Sequence, residues 1–305
     1  MTTNWFAVAN PAAGGGRDIA AIAARLRHSG LAHDLALSER AGHAVELAAA
    51  AARAGARCFL AIGGDGTLHD LVNGALGSGV VGAGEATFGL LPLGRGNDWA
   101  RTHGVPGRLE RALEVLAAGR VLEHDIGTVT PADGRLRYFI NAAGVGFDAH
   151  VVRRTLGRRM GKLSYLASLP ASLLTYRAPE LVVHAEGRHF AGRAFMAFAS
   201  INRYCGGGML VAPSALCDDG LLDVMVLGEI SLAELALNVG RLYDGTLPAH
   251  PKVRTFRASA LEVSGPLPVE AEADGELIGA SPIRFGLLPR HIRVIVPWPG
   301  GAPGS

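Results

Sequence analysis

Asp65 lies inside Gly63-Gly64-Asp65-Gly66-Thr67, between the apolar run Cys58-Phe59-Leu60-Ala61-Ile62 and a helical pattern over 68–76. The glycines permit positive φ and close backbone approach. The helix that follows offers unpaired N–H groups and a positive dipole end, which suit a phosphate. Thr67 can cap that helix or bind a phosphate oxygen. A carboxylate in such a loop repels phosphate unless Mg²⁺ lies between them. A second loop, Leu91-Pro92-Leu93-Gly94-Arg95-Gly96-Asn97-Asp98, also follows a strand pattern and opens a short helix. Taken singly, the first loop is an ordinary tight turn and Asp98 an N-cap; together they point to a shared phosphate–metal site. A third motif, Asp274-Gly275-Glu276, makes a sharp turn that holds two carboxylates near one place. Alone it is a hairpin turn between 269–273 and 277–278. Phosphoryl transfer to an alcohol needs metal to neutralise charge, donors around the γ-phosphoryl, and a carboxylate to accept the hydroxyl proton. Asp65, Asp98 and Asp125 can supply the metal shell, and the loop amides with Arg17 the donors. Glu276, with the longer stem, is preferred as base, with Asp274 orienting it.

The first third of the chain must position the two glycine loops. It alternates strand patterns at 5–9, 31–37, 58–62 and 87–91 with helical patterns at 18–28, 44–54 and 68–76. Such alternation predicts a parallel sheet covered on both faces, with ligands beyond the strand C-termini, where both loops fall. After residue 118 the texture changes. Extended runs cover 121–130 and 136–142, joined by the turn Pro131-Ala132-Asp133-Gly134. Others follow at 181–185, 190–200, 221–227, 261–264, 269–273 and 292–296, with helical patterns at 162–175 and 231–243. The expectation is an α/β nucleotide-binding domain over 1–123 and a mainly antiparallel, β-sandwich-like domain over 124–299. The segment after about 285 is free to pack back on the first domain, and 300–305 is a tail.

Several matches mislead. Residues 77–82 fit GxGxxG but follow a helix. Gly144-Val145-Gly146-Phe147-Asp148-Ala149 fits a dinucleotide variant, yet it lies in the β-rich half with no acid about twenty residues on. Residues 157–164 have the wrong spacing for a P-loop. With 305 residues, 49% of them hydrophobic, the chain has enough apolar material for buried cores, which excludes a disordered chain. Its 29 basic and 27 acidic residues argue against a nucleic-acid coat or a polybasic anchor. Cys58, Cys205 and Cys217 form no zinc-type pair, which fits free thiols in a reducing cytoplasm. No secretory signal or transmembrane span is expected; the best apolar stretch, 44–62, is interrupted by Glu46, Arg53 and Arg57.

In order along the chain, the motifs are Asn10-Pro11 with glycines and Arg17, the Asp65 loop, the 91–98 loop and Asp125-Ile126-Gly127. Then come the 141–148 run, Asp218-Asp219-Gly220-Leu221-Leu222-Asp223 and Asp274-Gly275-Glu276. This succession resembles the diacylglycerol kinase catalytic-domain family, above all its bacterial soluble lipid-kinase branch. The resemblance implies a fold related to NAD kinases, with ATP in a cleft between an α/β and a β-sandwich-like domain. Asn10, Ser38, Gly64, Asp65, Gly66, Thr67, Leu68, His69, Asp70, Arg95 and Asn97 match nucleotide contacts. Asp65, Asp98 and Asp125 match acids that hold catalytic Mg²⁺ through water. Asp219, with the main-chain carbonyls of Leu216 and Leu221, matches a second, structural Mg²⁺ site. Arg17 and Lys162 match basic residues lining the cleft, and Asp274-Gly275-Glu276 the catalytic acid motif. Arg95 departs from the family's usual Thr, exchanging a hydroxyl for a cation able to clamp phosphate, so ATP against another nucleotide stays open. The implied activity is an ATP-dependent lipid kinase for a neutral lipid alcohol, most simply diacylglycerol. The alternatives are another acceptor (a sphingoid base, phosphatidylglycerol, a polyprenol or glycan lipid) or a nucleotide-binding module without turnover. The expected setting is cytoplasmic, peripheral to a membrane, without nucleic acid and compatible with a homodimer. The candidate membrane rim is 151–169, where Arg153, Arg154, Arg158, Arg159 and Lys162 precede Leu163, Tyr165, Leu166 and Leu169.

Overall fold

The structure, a computed structural model, describes residues 4–11, 19–31, 33–155 and 172–299. They fall into two compact units, Met1–Asp125 with Pro289–Ser305, and Ile126–Leu288.

The first unit opens with β1 (Trp5–Ala9), α1 (Ile19–His28), β2 (His33–Leu37), α2 (His43–Arg53), β3 (Cys58–Gly63), α3 (Asp65–Gly77) and β4 (Thr87–Pro92). It continues with α4 (Asp98–His103) and α5 (Leu109–Ala118). The strands are parallel in the order β4-β3-β1-β2. In β1, β3 and β4 almost every residue is buried, as continuous apolar runs require in a sheet covered on both faces. β2 is the edge, and Leu35 and Leu37 are exposed there. The chain steps from β1 outward to β2, then returns past β1 to β3, so its direction reverses between β1 and β3. Right-handed crossovers therefore send the helices to opposite faces. Ile22 and Leu26 of α1 and Leu113 and Leu116 of α5 pack on Trp5, Ala7, Ala9, Leu60 and Ile62. α2 and α3 cover the other face and cross closely: a Cβ at Gly74 would lie 2.3 Å from the Val45 carbonyl oxygen.

Two differences from the sequence reading arise here. α3 begins at Asp65, not at 68, because the Thr67 and Leu68 N–H groups both bond Gly64 O. α5 was not anticipated, although Leu109, Ala112, Leu113 and Leu116 have helical spacing and line one packed face.

The second unit continues with β5 (Arg120–Thr130), which starts in the first, then β6 (Arg137–Phe139), β7 (Ala142–Gly146), α6 (Phe147–Thr155), β8 (Glu180–Ala185) and β9 (Arg188–Ser200). A ribbon of β10 (Tyr204–Cys205) and β11 (Met209–Leu210) precedes β12 (Leu222–Gly228), α7 (Leu232–Asn238) and α8 (Arg241–Asp244). β13 (Val253–Ala258), β14 (Ala260–Ser264), β15 (Glu270–Ala273), β16 (Glu276–Ala280) and β17 (Ile283–Val296) complete the chain. Pairing within the unit is antiparallel. β9 pairs β8 through its first half and β7 and β12 through its second. It changes partners between Arg193 and Ala194, just after Gly192, whose φ of 145° suits glycine, as strands do at the corner of a sandwich. Val129, Phe139, Val145, Leu181, Val224, Ala271 and Phe285 lie in its core. β17 ends in the first unit, where Arg293 and Val294 pair in parallel with Thr87 and Phe88 of β4.

The extended run expected over 136–142 breaks at 140–141, where the backbone N–H groups turn to a carboxylate described below. The helix expected over 231–243 is two short helices parted near Gly240, and neither buries a residue. β13 was missed, and β17 begins nine residues before the expected 292. The helix expected over 162–175 lies mostly outside the described residues.

Candidate active site

The two glycine loops form one body. Leu93 and Gly94 donate their N–H groups to Gly63 O at 2.7 and 3.1 Å. A Cβ at Gly94 would sit 2.6 Å from Gly64 Cα, so only glycines allow this approach. The Thr67 side chain folds over Gly63, while nothing lies within 4 Å of where a Cβ on Gly66 would point. Asn97 adopts the left-handed conformation at φ 50°, and its Nδ2 donates to Gly94 O at 2.8 Å.

Asp65 ties the second loop to the first. Its Oδ2 accepts the Asp98 N–H at 3.1 Å and its Oδ1 the Trp99 N–H at 2.9 Å. The carboxylate thus caps α4 from across the sheet edge. Asp98 is the first residue of that helix and not its N-cap, which is Asn97. Asp98 is buried, 3.7 Å from the Arg101 guanidinium. Asp125 is fully buried, and its Oδ1 accepts the Arg290 N–H at 2.6 Å. The Trp99 and His124 rings lie 6.4 Å apart with His103 beside both, so the neighbours of Asp98 and Asp125 share one aromatic cluster. Asn10 and Ser38 end β1 and β2, their N–H groups bonded to Ile62 O and Ala9 O. Asn10, Ser38, Gly64 and Asn97 therefore follow the C-terminal ends of four parallel strands. The β1 and β3 loops flank the point where chain direction reverses, the usual ligand position in such sheets.

Not every proposed nucleotide contact has a side chain to offer. Leu68 and His69 are buried, and His69 Nε2 meets Asn73 Nδ2 at 3.2 Å, leaving main-chain groups as their means of contact. Asp70 is partly buried and Arg95 exposed. Arg17 and Lys162 lie outside the described residues.

In the second unit, Asp274 and Gly275 have φ of 49° and 90° and form the two-residue turn between β15 and β16. The hairpin and the chemical reading of this motif are thus compatible. The Asp274 carboxylate accepts the N–H groups of Ile140, Asn141 and Ala142 at 2.7, 2.9 and 3.2 Å, which is what breaks the strand there. Asp274 therefore orders the 140–142 backbone, while Glu276 is exposed at the start of β16. Gly144 and Gly146 face Phe198 and the Phe195–Tyr176 contact, where a Cβ would clash; their role is packing, in keeping with the rejected dinucleotide motif.

Two acids that received no role in the sequence reading sit beside this turn. Glu272 is buried, and its Oε2 accepts the Gly275 N–H at 2.7 Å. Burial, then the nearby Asp148, push its carboxyl well above the usual range. Burial raises Asp148 itself to about 7. The only sequence signal was an acid in the alternation Glu270-Ala271-Glu272-Ala273, which is unremarkable in a strand with one solvated face.

Asp65, Asp98 and Asp125 of the first unit offer hard oxygen donors of the kind that suits Mg²⁺. Each carboxylate has about four lone-pair sites, so bonds to backbone N–H groups leave capacity for metal-bound water. Around Asp219 the fit is poorer: Oδ1 accepts the Leu221 N–H at 3.1 Å, Oδ2 is paired with Arg257, and Leu216 is exposed. A guanidinium already supplies the positive charge there. Of the candidate membrane rim, Arg153 pairs with Glu270 at 2.6 Å and Arg154 donates to Thr175 Oγ1 at 3.2 Å; 156–171 lie outside the described residues. No helix among the described residues is long and apolar enough to cross a membrane.

Comparison with known proteins agrees with this architecture. Residues 4–129 match the model of the diacylglycerol kinase catalytic domain, and residues 141–296 that of the YegS C-terminal NAD kinase beta sandwich-like domain. The diacylglycerol kinase of Staphylococcus aureus strain bovine RF122 / ET3-1 is 31% identical over 242 residues, covering 78% of this chain and 74% of the relative. That of strain JH9 gives the same figures. A crystal structure titled as a diacylglycerol kinase from Bacillus anthracis str. Sterne superposes with a TM-score of 0.74 at 19% identity, over 96% of this chain and 97% of the other. A second, titled as a putative diacylglycerol kinase from the same organism, gives 0.75 at 22% over the same shares. At these identities the two structures speak for the fold, whereas the family models and the 31% relatives place the chain by sequence: it belongs to the diacylglycerol kinase family of lipid kinases.

Proposed function

We propose that the chain transfers the γ-phosphoryl group of ATP to the hydroxyl of a neutral lipid alcohol, most simply diacylglycerol, to give phosphatidic acid. The observation that carries this is the Asp65 carboxylate: it stands in a phosphate-type loop and binds the N–H groups of Asp98 and Trp99, uniting both glycine loops. Asn10, Ser38, Arg17, Arg95, Asn97 and the 64–70 backbone would hold the nucleotide. Asp65, Asp98 and Asp125 would hold Mg²⁺ through water; when bound, the ion neutralises phosphate charge as it develops. Glu276 would accept the acceptor's hydroxyl proton, with Asp274 fixing the turn that presents it. Leu216, Asp219 and Leu221 would take a second cation only in competition with Arg257. Diacylglycerol is favoured as acceptor by the names of the relatives, and a water-insoluble acceptor calls for peripheral contact with a membrane.

The test is transfer of label from ATP to diacylglycerol, sphingosine, phosphatidylglycerol and a polyprenol in mixed micelles, with Asp65→Asn as the blank. The expected result is Mg²⁺-dependent label in phosphatidic acid, about tenfold or more above any other product. Label in another lipid would reassign the acceptor. ATP binding without labelled product would leave a nucleotide-binding module and end the kinase reading.

A further inference from the structure

We propose that Glu272 is a positioning residue for the Asp274-Gly275-Glu276 turn, acting as one half of a carboxyl–carboxylate pair with Asp148. The inference rests on the reading of Glu276 as the proton acceptor.

The placement follows from β15. Ala271 and Ala273 point into the sandwich core, so strand alternation puts Glu270 and Glu272 on the opposite face. Glu270 is partly exposed there and pairs with Arg153 of α6. Glu272 is only 8% exposed, and among the described residues no cation pairs with it. In the strand register it lies opposite Gly144 of β7. α6 packs on the same strands and brings Asp148 in its first turn. From this position Glu272 Oε2 takes the Gly275 N–H at 2.7 Å, holding the turn's second residue.

Two acids buried together, with no cation paired to either among the described residues, cannot both ionise cheaply, so the pair favours keeping a proton. The described surroundings do not change this. Asp274, on the same hairpin, adds negative charge and is committed to the 140–142 backbone. Tyr176 donates its O–H to Phe195 O, and burial together with Asp148 raises its phenol above the ordinary range. His150, on α6, lies 5.2 Å from the Tyr176 ring and is held below the ordinary histidine range by burial and then by Arg154. Arg153 is engaged with Glu270. In its protonated form Glu272 clamps the turn through the Gly275 N–H and sets no second charge against Asp148 on α6. With both acids ionised, repulsion opposes the clamp. Both acids are raised by folding, so the stability they contribute is complete below the unfolded carboxyl range. It is lost progressively as pH rises from that range through the folded value, about 7 for Asp148.

The experiment compares wild type with Glu272→Gln, Glu272→Ala, Asp148→Asn and Glu276→Gln. It measures Tm from about pH 4.5 to about 9.5, and kcat and KM with ATP and dioctanoylglycerol micelles from about pH 6 to about 9.5. Glutamine keeps an acceptor for the Gly275 N–H and cannot ionise. Wild-type Tm should fall as pH rises from the ordinary carboxyl range toward about 7, and the fall should be shallower in Glu272→Gln, where Asp148 alone still titrates. Glu272→Ala should lose kcat about tenfold or more with KM for ATP within about twofold. Glu272→Gln should keep kcat within about threefold and move the alkaline limb up by about one pH unit or more. A Glu272→Gln protein with wild-type Tm and kcat profiles would overturn the proposal, as would an Glu272→Ala protein with wild-type kcat. If Glu272→Ala does not fold, Glu272→Gln and Asp148→Asn decide by the same pH curves. Full activity in Glu276→Gln would instead remove the base assignment, while the Tm curves still judge the pair.

Discussion

Both oxygens of Asp65 are taken by the N–H groups of Asp98 and Trp99, so a change at this position acts twice, as lost charge and as a weakened cap. Asp65→Asn keeps one acceptor oxygen but turns an amide NH₂ toward an N–H donor. A lost cap costs about 1 kcal/mol, or roughly 2–4 °C in Tm for a protein of this size. Loss of the charge that holds Mg²⁺ should lower kcat about a hundredfold or more. Melting and steady-state kinetics on one preparation separate the two effects; a variant with near wild-type kcat and unchanged Mg²⁺ dependence would remove the metal role. The acids themselves were legible in the sequence, because a carboxylate amid glycines is chemically out of place. Their hydrogen-bond partners were not. The donors to Asp65 lie about thirty residues away, and those to Asp274 more than a hundred and thirty, distances that no local pattern encodes. Glu272 stayed hidden for the same reason: alternation gives its face, but only the packing of α6 tells that the face is dry.

At the scale of elements, the glycine loops work as backbone surfaces. Gly64 and Gly94 meet so closely that a methyl group at 94 would lie 2.6 Å from the opposing Cα. The Gly63 carbonyl that receives Leu93 and Gly94 would have to move with it. Gly94→Ala should therefore separate the loops and weaken ATP binding by about tenfold or more. Melting should show a loss of about 1–3 kcal/mol. Calorimetric titration with ATP and Mg²⁺ checks the first expectation, and binding at wild-type affinity would mean that the contact carries no functional load. Elements defined by continuous apolar runs between glycine turns, β1, β3 and β4, were readable because a central parallel strand needs little else. α5 and β13 were not: α5 follows an irregular loop, and β13, Val253-Arg254-Thr255-Phe256-Arg257-Ala258, is half-exposed with charges that mask its alternation. The break at 140–141 was also invisible, since its cause is the Asp274 carboxylate and not the residues that bend.

On the scale of the whole molecule, the first unit is discontinuous in sequence. Its last strand segment comes from residues beyond the second unit. Arg293 and Val294 pair with β4, His291 O receives the Gly84 N–H, and Trp298 Nε1 donates to Ala118 O. Ile292, Val294 and Val296 are buried. Burial of three such side chains is worth roughly 5–9 kcal/mol, comparable to the total stability of a domain, about 5–15 kcal/mol. A fragment of residues 1–125 should therefore fail to fold. The cut ends lie side by side, because Arg290 N–H donates to Asp125 Oδ1 at 2.6 Å, so a short Gly-Ser linker can join 125 to 289. Circular dichroism melting of the two constructions gives the comparison. The joined chain 1–125 plus 289–305 should melt cooperatively and the bare 1–125 should not. Cooperative melting of the bare fragment at the same temperature would show that the C-terminal strand only decorates the sheet. Failure of both would mean that the first unit draws its stability from residues 126–288 as well.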